Sequence, residues 1–364
     1  MKRYAAPDIR HALLIVLLCT SGTCRFAFSG ESQTAEDYLK KLRSLTARVV
    51  GGDMETRRTT AKLLRDMGEP VIQYLDAELK APAPERRRQA ALVIGEIGNP
   101  AARASLISAL RDRDGTVRAA AVGALGKLGE KGPAREIATM LTDPDEQVRA
   151  ESVRVLGELR ASEHTEQIER LLFDPSEKVK ANAIQAVGNL RDRRAVPALV
   201  RALDSPSASI RNNAVIALGK IGDPSALPGL RKAMEETDQW VRSSAAAGLG
   251  SMGDRDAVPL LTKAVSDSSS YVRGSAAGAL GVLKTPSAIV ALCTLLNDQS
   301  PSGFFILEPY RQTGVREEAA DALGRITGLS HGFSKTAGTA EREEALREWQ
   351  EWCAAKMPTP TPAK

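Results

Sequence analysis

The chain has 364 residues, a formal net charge of +5, and 43% hydrophobic but only 4% aromatic residues. This length ordinarily predicts two or three globular domains, but a 31-residue period runs through most of the sequence and indicates one elongated repeat array. Scarce aromatic residues beside abundant alanine, leucine, valine and glycine favour closely packed helices over one thick globular core.

The first 29 residues have the features of a secretory signal peptide. Lys2, Arg3 and Arg10 precede an apolar run at 12–18, and small residues flank the position after Ser29, where we expect cleavage. A retained anchor is the alternative, but the run is far shorter than the roughly 20 residues that span a bilayer. The sequence therefore predicts an exported protein, periplasmic or extracellular, with no membrane span after cleavage.

Removal of this leader changes the charge and the cysteine content. The leader carries four Lys and Arg residues and one Asp, so the net charge falls from +5 to +2. A charge this small gives no basic surface for nucleic acid. Cys293 and Cys353 remain, and two buried free thiols are favoured, with a single bridge as the alternative.

Each 31-residue unit contains two apolar patterns of helical spacing. A proline falls near the start of the first helix at Pro197, Pro228 and Pro259, where a missing N–H costs nothing. Glycines suited to C-caps follow the second helix at Gly98, Gly129, Gly222 and Gly253. Another glycine recurs inside every second helix, where it costs about 1 kcal/mol relative to alanine. We therefore expect a neighbouring helix to approach closely at the interior glycines Gly95, Gly126, Gly157, Gly188, Gly219, Gly250, Gly281 and Gly324.

Strings of the form Val-Arg-x-x-Ala-x-x-Ala-Leu-Gly, with an acid six positions before the base, recur over roughly residues 53–328. They resemble HEAT repeats, particularly the short variety first associated with phycobilin lyases. The resemblance implies an all-α fold, an α-solenoid of about nine helix pairs, in which such acids and bases form a structural ladder between adjacent repeats. The ladder residues are Asp112, Arg118, Asp143, Arg149, Asp174, Lys180, Asp267 and Arg273. Ser205 and Glu236 replace the aspartate in two repeats, so we expect a weaker ladder near the middle.

The expected organisation is a signal peptide at 1–29, a solenoid at 30–328, a capping segment with a helix at 329–356, and a disordered Pro/Thr tail at 357–364. The first unit, about 34–68, is degenerate and reads as an N-terminal cap. The last repeat carries an insertion at 299–313. The segment with Trp349 and Trp352 resembles the C-terminal part of extracytoplasmic bacterial HEAT-repeat proteins.

Groups suited to catalysis are scarce in the mature chain. His164 and His331 are its two histidines, and neither has a Cys or His at metal-ligand spacing. No phosphate loop, dinucleotide fingerprint or nucleophile elbow is found, and no strand is predicted. We therefore predict no catalytic residue, no metal site and no cofactor.

Two aromatic residues mark a candidate binding surface. Trp240 and Tyr271 precede the Val-Arg pair of adjacent repeats, so stacking should place them side by side. Small residues follow them on the same helices, namely Ser243, Ser244 and Ser275. This predicts a shallow groove on the concave face for an extended peptide or an amphipathic helix. The alternative is that both rings are packing between repeats.

The insertion concentrates Phe304, Phe305 and Tyr310 where a turn would suffice. Insertions in repeat proteins often lie on the binding face. The competing interpretation, slightly favoured, is a C-terminal lid in which the insertion contacts Phe333, Trp349 and Trp352.

Together these patterns predict a non-enzymatic, monomeric scaffold that binds a partner protein or peptide on the concave face. A lyase-type enzyme or enzyme subunit acting on a tetrapyrrole is the alternative from another class, and it rests on the repeat resemblance. A third hypothesis is a purely structural module.

Overall fold

The computed structural model describes residues 35–129, 133–302 and 313–356, so the predicted leader, most of the insertion and the predicted tail lie outside the described residues. The described residues form two compact units that divide between His164 and Thr165. In unit 1, short first helices alternate with longer second helices that pack in succession. Its helices are α1 (Ala35–Gly51), α2 (Met54–Asp66), α3 (Glu69–Glu78), α4 (Pro84–Ile97), α5 (Arg103–Ala109), α6 (Gly115–Lys127), α7 (Ala134–Thr139) and α8 (Glu146–Glu158).

Unit 2 repeats the same pattern and adds a final helix. Its helices are α9 (Thr165–Arg170), α10 (Glu177–Leu190), α11 (Val196–Ala202), α12 (Ala208–Ile221), α13 (Leu227–Ala233), α14 (Gln239–Ser251), α15 (Val258–Ala264), α16 (Ser270–Val282), α17 (Ile289–Thr294), α18 (Val315–Thr327) and α19 (Thr339–Lys356). Even-numbered helices up to α18 are the second helices of nine pairs, and α19 follows them.

Short 3-10 helices flank most first helices, and two short strands occur at the insertion. The 3-10 helices are Pro100–Ala102, Met140–Thr142, Ser162–His164, Leu171–Phe173, Arg193–Ala195, Pro224–Ala226, Arg255–Ala257, Pro286–Ala288 and Leu295–Asn297. Strand β1 (Pro301–Ser302) pairs antiparallel with β2 (Thr313–Gly314), so that Pro301 faces Gly314. The helical periodicity did not predict this two-residue pairing.

The ends of the second helices follow from their capping residues. Asp114, Asp145 and Asp238 each accept a hydrogen bond from the backbone N–H two residues later, which starts α6, α8 and α14. All four glycines predicted at the other end have positive φ, between 66° at Gly98 and 74° at Gly253, so that prediction is confirmed. Arg191 occupies the equivalent position after α10 with φ of 53°.

Close packing of the next second helix requires glycine at several of the predicted positions, namely Gly95, Gly188, Gly250 and Gly281. A Cβ on Gly219 would lie 3.4 Å from its nearest neighbour, so the prediction does not hold there. A Cβ on Gly250 would lie 2.6 Å from Ala279 Cα on the next second helix, and one on Gly95 would lie 2.8 Å from Ala124 Cα. Real Cβ atoms do not approach backbone carbon so closely, because the atoms would overlap. The glycine therefore sets how tightly successive second helices pack.

The charged ladder joins adjacent repeats through a pairing 25 residues apart. Arg118 Nη2 lies 2.7 Å from Asp143 Oδ1, while its Nη1 donates to the backbone carbonyl of Asp112, six residues earlier. Thus Asp112, six positions before Arg118, supplies a backbone carbonyl, and Asp143 of the following repeat supplies the carboxylate. The same carbonyl contact joins Arg149 to Asp143 and Arg273 to Asp267.

The ladder changes in the first repeats of unit 2. Lys180 pairs with Glu177 on its own helix, since Ser205 stands where the next acid would be. Asp174 Oδ1 accepts from the Ser176 N–H. Arg211 reaches Glu236 at 3.3 Å, and its buried Nε has no hydrogen-bond partner among the described residues. Regular pairs resume at Arg242–Asp267 and Arg273–Asp298.

Helix α19 covers the last helix pair of unit 2. Trp349 is fully buried on α19, with the His331 ring 4.4 Å away edge-on and the Trp352 ring at 5.5 Å. Arg316 on α18 pairs with Glu343 on α19, which supplies the acid that a further repeat would otherwise contribute. The predicted capping segment therefore contains a helix packed on the end of the array.

The expectation of two free thiols was wrong. Cys293 on α17 and Cys353 on α19 form a disulfide with a Cα–Cα distance of 5.7 Å, which holds the capping helix to the last repeat. Low cysteine content favoured free thiols from the sequence alone, because the fold of the capping segment decides which residues meet. Both cysteines are buried.

Candidate functional site

The two aromatic residues singled out from the sequence lie against each other on the surface of unit 2. The ring centroids of Trp240 and Tyr271 are 4.5 Å apart with an interplanar angle of 38°. Trp240 is 42% exposed and Tyr271 is half-buried. An indole that keeps this much exposure while stacked on a neighbour forms a rigid apolar platform. We call these two residues the aromatic pair.

Local sequence explains why the rings meet. Asp238 caps α14 by accepting hydrogen bonds from the backbone N–H groups of Trp240 and Val241, at 2.9 and 3.1 Å. Tyr271 has the same place in α16, one 31-residue step later. Because α14 and α16 pack directly on each other, the shared register brings the two rings together.

The three serines predicted beside the aromatic pair have different environments. Ser243 Oγ is 2.8 Å from Ser275 Oγ and also donates to the Tyr271 carbonyl. Ser275 is only 2% exposed, so it joins the two helices and has no surface to offer a partner. Ser243 and Ser244 remain half-buried and reach the solvent side of α14.

An ion pair lies next to the aromatic pair. Arg242, two residues after Trp240, donates two hydrogen bonds to Asp267 at 2.8 and 2.9 Å. Burial raises the pKa of Asp267, but the hydrogen bonds from Arg242 and from the Ser269 N–H, together with the positive charge of Arg242, outweigh burial and hold that pKa below its ordinary value. The carboxylate therefore stays ionised and neutralises the arginine, which leaves little net charge beside the rings.

The first residues of the insertion are held near Tyr271. Ser270 Oγ donates to the Pro301 carbonyl at 2.7 Å, and a Cβ on Gly274 would lie 2.4 Å from Ser302 Cβ. Strand β1 thus rests directly on α16. Phe304, Phe305 and Tyr310 lie outside the described residues, so the choice between a binding loop and a lid stays a prediction.

Sequence reasoning missed a set of uncharged polar side chains on three second helices of unit 2. Each carries an amide or hydroxyl group and has some exposure, and three of them, one on each helix, occupy the same helix position. We call the set the amide–hydroxyl stripe: Asn182 and Gln185 on α10, Asn212 and Asn213 on α12, and Ser243 and Ser244 on α14. In unit 1 the position shared by Asn182, Asn213 and Ser244 holds Gln89, Ala120 and Glu151.

Within residues 35–129, 133–302 and 313–356, no group of three or more His, Cys, Asp and Glu side chains is placed to hold a metal ion. None of the helices in these same ranges is both long enough and apolar enough to span a bilayer.

Comparison with known proteins identifies the repeat. The family described as HEAT repeats matches residues 69–157, 167–248 and 228–303, which together make up more than half of the chain. The chain is a HEAT-repeat protein. Its fold is accordingly an all-α solenoid of stacked helix pairs, as the sequence resemblance implied.

Several solved structures are similar to this HEAT-repeat protein at low sequence identity. YibA from E. coli is 18% identical, with 74% of this chain and 96% of that chain covered and a TM-score of 0.52. An engineered protein is 19% identical over 86% of this chain and 98% of that chain, with a TM-score of 0.47. The complex of CpcE and CpcF of phycocyanin lyase from Nostoc sp. PCC7120 is 20% identical over 69% and 94%, with a TM-score of 0.40. No curated protein sequence matches the chain significantly.

Proposed function

We propose that this HEAT-repeat protein is a non-catalytic scaffold that binds a segment of a partner protein at the aromatic pair. The observation that carries the proposal is Trp240, which keeps 42% exposure although it stacks on Tyr271. Aromatic residues in this situation are typical anchors of protein interfaces. HEAT repeats are themselves typical protein-interaction modules, which supports the same assignment.

A binding role and a packing role for the two rings predict different effects when the rings are replaced. Exposed anchors usually contribute 2 kcal/mol or more to affinity, whereas one exposed ring stacked on another adds about 0.5–1.5 kcal/mol to stability. Replacement of both rings should therefore affect binding much more than folding.

The partner can be identified by photo-crosslinking in cells. Benzoylphenylalanine placed at Ser244 should crosslink to one protein, and the same group placed at Thr116, in the register of Trp240 but on α6, should not. Trp240→Ala together with Tyr271→Ala should weaken binding of that purified protein at least about 30-fold, measured by calorimetry, with nearly unchanged melting temperature. A double variant that melts several degrees lower but binds the partner normally would show that the aromatic pair serves only packing between repeats.

We also propose that the protein is exported and loses residues 1–29. The disulfide between Cys293 and Cys353 supports this location, because disulfides persist in oxidising compartments. Material recovered from the periplasm should have the intact mass of a chain that begins at Gly30. Retention of Met1 in that material would contradict export by cleavage.

A further inference from the structure

We propose that the disulfide between Cys293 and Cys353 is a redox-sensitive switch for the capping helix α19. While the bridge is intact, α19 stays docked on α17 and α18, and when the bridge is reduced, α19 leaves the end of the array and the repeats before it stay folded. This inference goes beyond the proposed function, since it holds whatever the aromatic pair binds.

Helix α19 has little apolar surface with which to stay docked. Four of its 18 residues are buried, whereas six of the 13 residues of α18 are buried. The four are Ala345, Leu346, Trp349 and Cys353. Burial of apolar surface is the main term that holds helices together. Since one of the four is the bridging cysteine itself, three side chains remain to hold α19 by apolar packing.

The largest of these three side chains is docked at a polar cost. Trp349 is fully buried, and its indole Nε1 has no hydrogen-bond partner among the described residues. The neighbouring His331 ring also buries its Nε2 without a partner in the described part of the chain. A buried polar atom without a partner costs free energy that contact with water regains. Release of α19 would hydrate both atoms, so this cost favours release.

The polar contacts between α19 and the array are few and weak. Arg316 on α18 pairs with Glu343, whose side chain is 43% exposed. Gln350 Nε2 donates to the Leu296 carbonyl at 3.1 Å and to Asn297 Oδ1 at 3.0 Å. Exposed ion pairs and neutral hydrogen bonds contribute little in water. The disulfide is therefore the strongest single link between α19 and the repeats.

A thiol can reach the bridge although both cysteines are buried. Cys353 lies in the last turn of α19, and the last turns of helices fray, which exposes the sulfur while the repeats stay folded. The reductant is a dithiol. One of its thiolates attacks a bridge sulfur, the Sγ–Sγ bond breaks, and a mixed disulfide forms. The second thiolate then displaces the remaining protein thiolate, so two electrons and two protons pass to the cysteines and the dithiol leaves as its own disulfide.

The test compares hydrogen exchange of the mature chain before and after treatment with dithiothreitol, which is the dithiol probe. Cys293 and Cys353 are the two cysteines of the chain that follow the predicted leader. Cys293→Ser together with Cys353→Ser is the matched variant, because it lacks the bridge at all times. Helix α4 in unit 1 and helix α14 in unit 2 serve as internal controls.

Reduction should accelerate exchange in α19 about 30- to 1,000-fold, which is the range expected when a cross-link between distant residues is removed. The bridged residues are 60 positions apart in the chain. Exchange in α4 and α14 should change by less than about twofold, since each repeat contacts its neighbours. The double serine variant should exchange in α19 as the reduced chain does, and dithiothreitol should not change it further.

Alkylation of the thiols is an independent measurement. After reduction, iodoacetamide should label both cysteines of the folded chain, because release of α19 uncovers them. Slow exchange in α19 together with unreactive thiols would show that the helix stays docked without the bridge, and the switch would be wrong. Faster exchange throughout unit 2 would also overturn the switch, because the bridge would then stabilise the whole unit. Neither result concerns the aromatic pair, so the proposed function is tested separately.

Discussion

Second helices of the two units differ in the charge that they carry at matching exposed positions. In unit 1, Arg154 on α8 pairs with both Glu151 and Glu158. In unit 2, the positions of Glu151 and Arg154 hold Asn182 and Gln185 on α10. The same fold therefore carries a self-paired charged cluster on α8 and amide side chains at the matching places of α10.

The difference shows which positions the fold requires. Buried valines, leucines and alanines and the interior glycines recur in both units because the packing of successive helices demands them. Exposed ion pairs such as those of Arg154 contribute about 0.2–1 kcal/mol at most, so the fold does not require charges there. The fold therefore leaves the side chains at these exposed positions free to vary.

The largest expected effect comes from replacing an interior glycine, which tests whether both units depend on close packing of their second helices. A Cβ on Gly188 would lie 2.9 Å from Ala217 Cβ, so Gly188→Leu should force α10 and α12 apart and cost about 3 kcal/mol of unfolding free energy. Because each repeat contacts its neighbours, hydrogen exchange should show protection lost first around α10 and α12 and kept in α4 and α6.

Two further variants serve as controls for Gly188→Leu. Gly95→Leu makes the equivalent change in unit 1, where Ala124 Cα would be 2.8 Å away, and should open α4 and α6 first. Gly219→Ala is mild, since its Cβ would lie 3.4 Å from Gly248 Cα. Loss of protection throughout the chain at once, from either leucine variant, would contradict independent responses of the two units.

A smaller expected effect is the loss of stability at acidic pH. Hydrogen bonds from Arg87 lower the pKa of Asp112. At Asp143 burial raises the pKa, but the hydrogen bonds from Arg118 and from the Asp145 N–H, together with nearby positive charge, outweigh burial and lower the pKa. Since the folded-state pKa values lie below the ordinary 3.8, these carboxylates stabilise the fold above that pH, and the contribution is lost as pH falls through the lowered values. The unfolding free energy should therefore begin to fall below about pH 4.

The variant Asp143→Asn tests the source of that acid sensitivity. It should cost about 2 kcal/mol at pH 7, from lost charge-assisted hydrogen bonds, and should flatten the decline in stability below pH 4 measured by urea denaturation. An unchanged acid profile would mean that the ladder does not cause it.

Much of the repeat structure could be predicted from the sequence, because it depends on the spacing of residues within neighbouring helices. Glycine at a fixed register predicted close helix approach, and it is seen at Gly250 and Ala279. The carboxylate partner of Arg118 was not evident, since the acid 25 residues on becomes adjacent only when repeats stack. The Cys293–Cys353 bridge depends on how α19 packs, which no periodicity encodes. At the candidate site, register predicted the aromatic pair, but the burial of Ser275 required the structure.

Hydrogen exchange with and without the crosslinked partner protein tests the central claim most directly, namely that binding uses the surface of unit 2 around the aromatic pair. Bound partner should slow exchange in the first turns of α14 and α16, which include Trp240 and Tyr271, and should leave α4, α6 and α8 unchanged. Protection confined to the second helices of unit 1, or to first helices such as α11 and α13, would contradict the account.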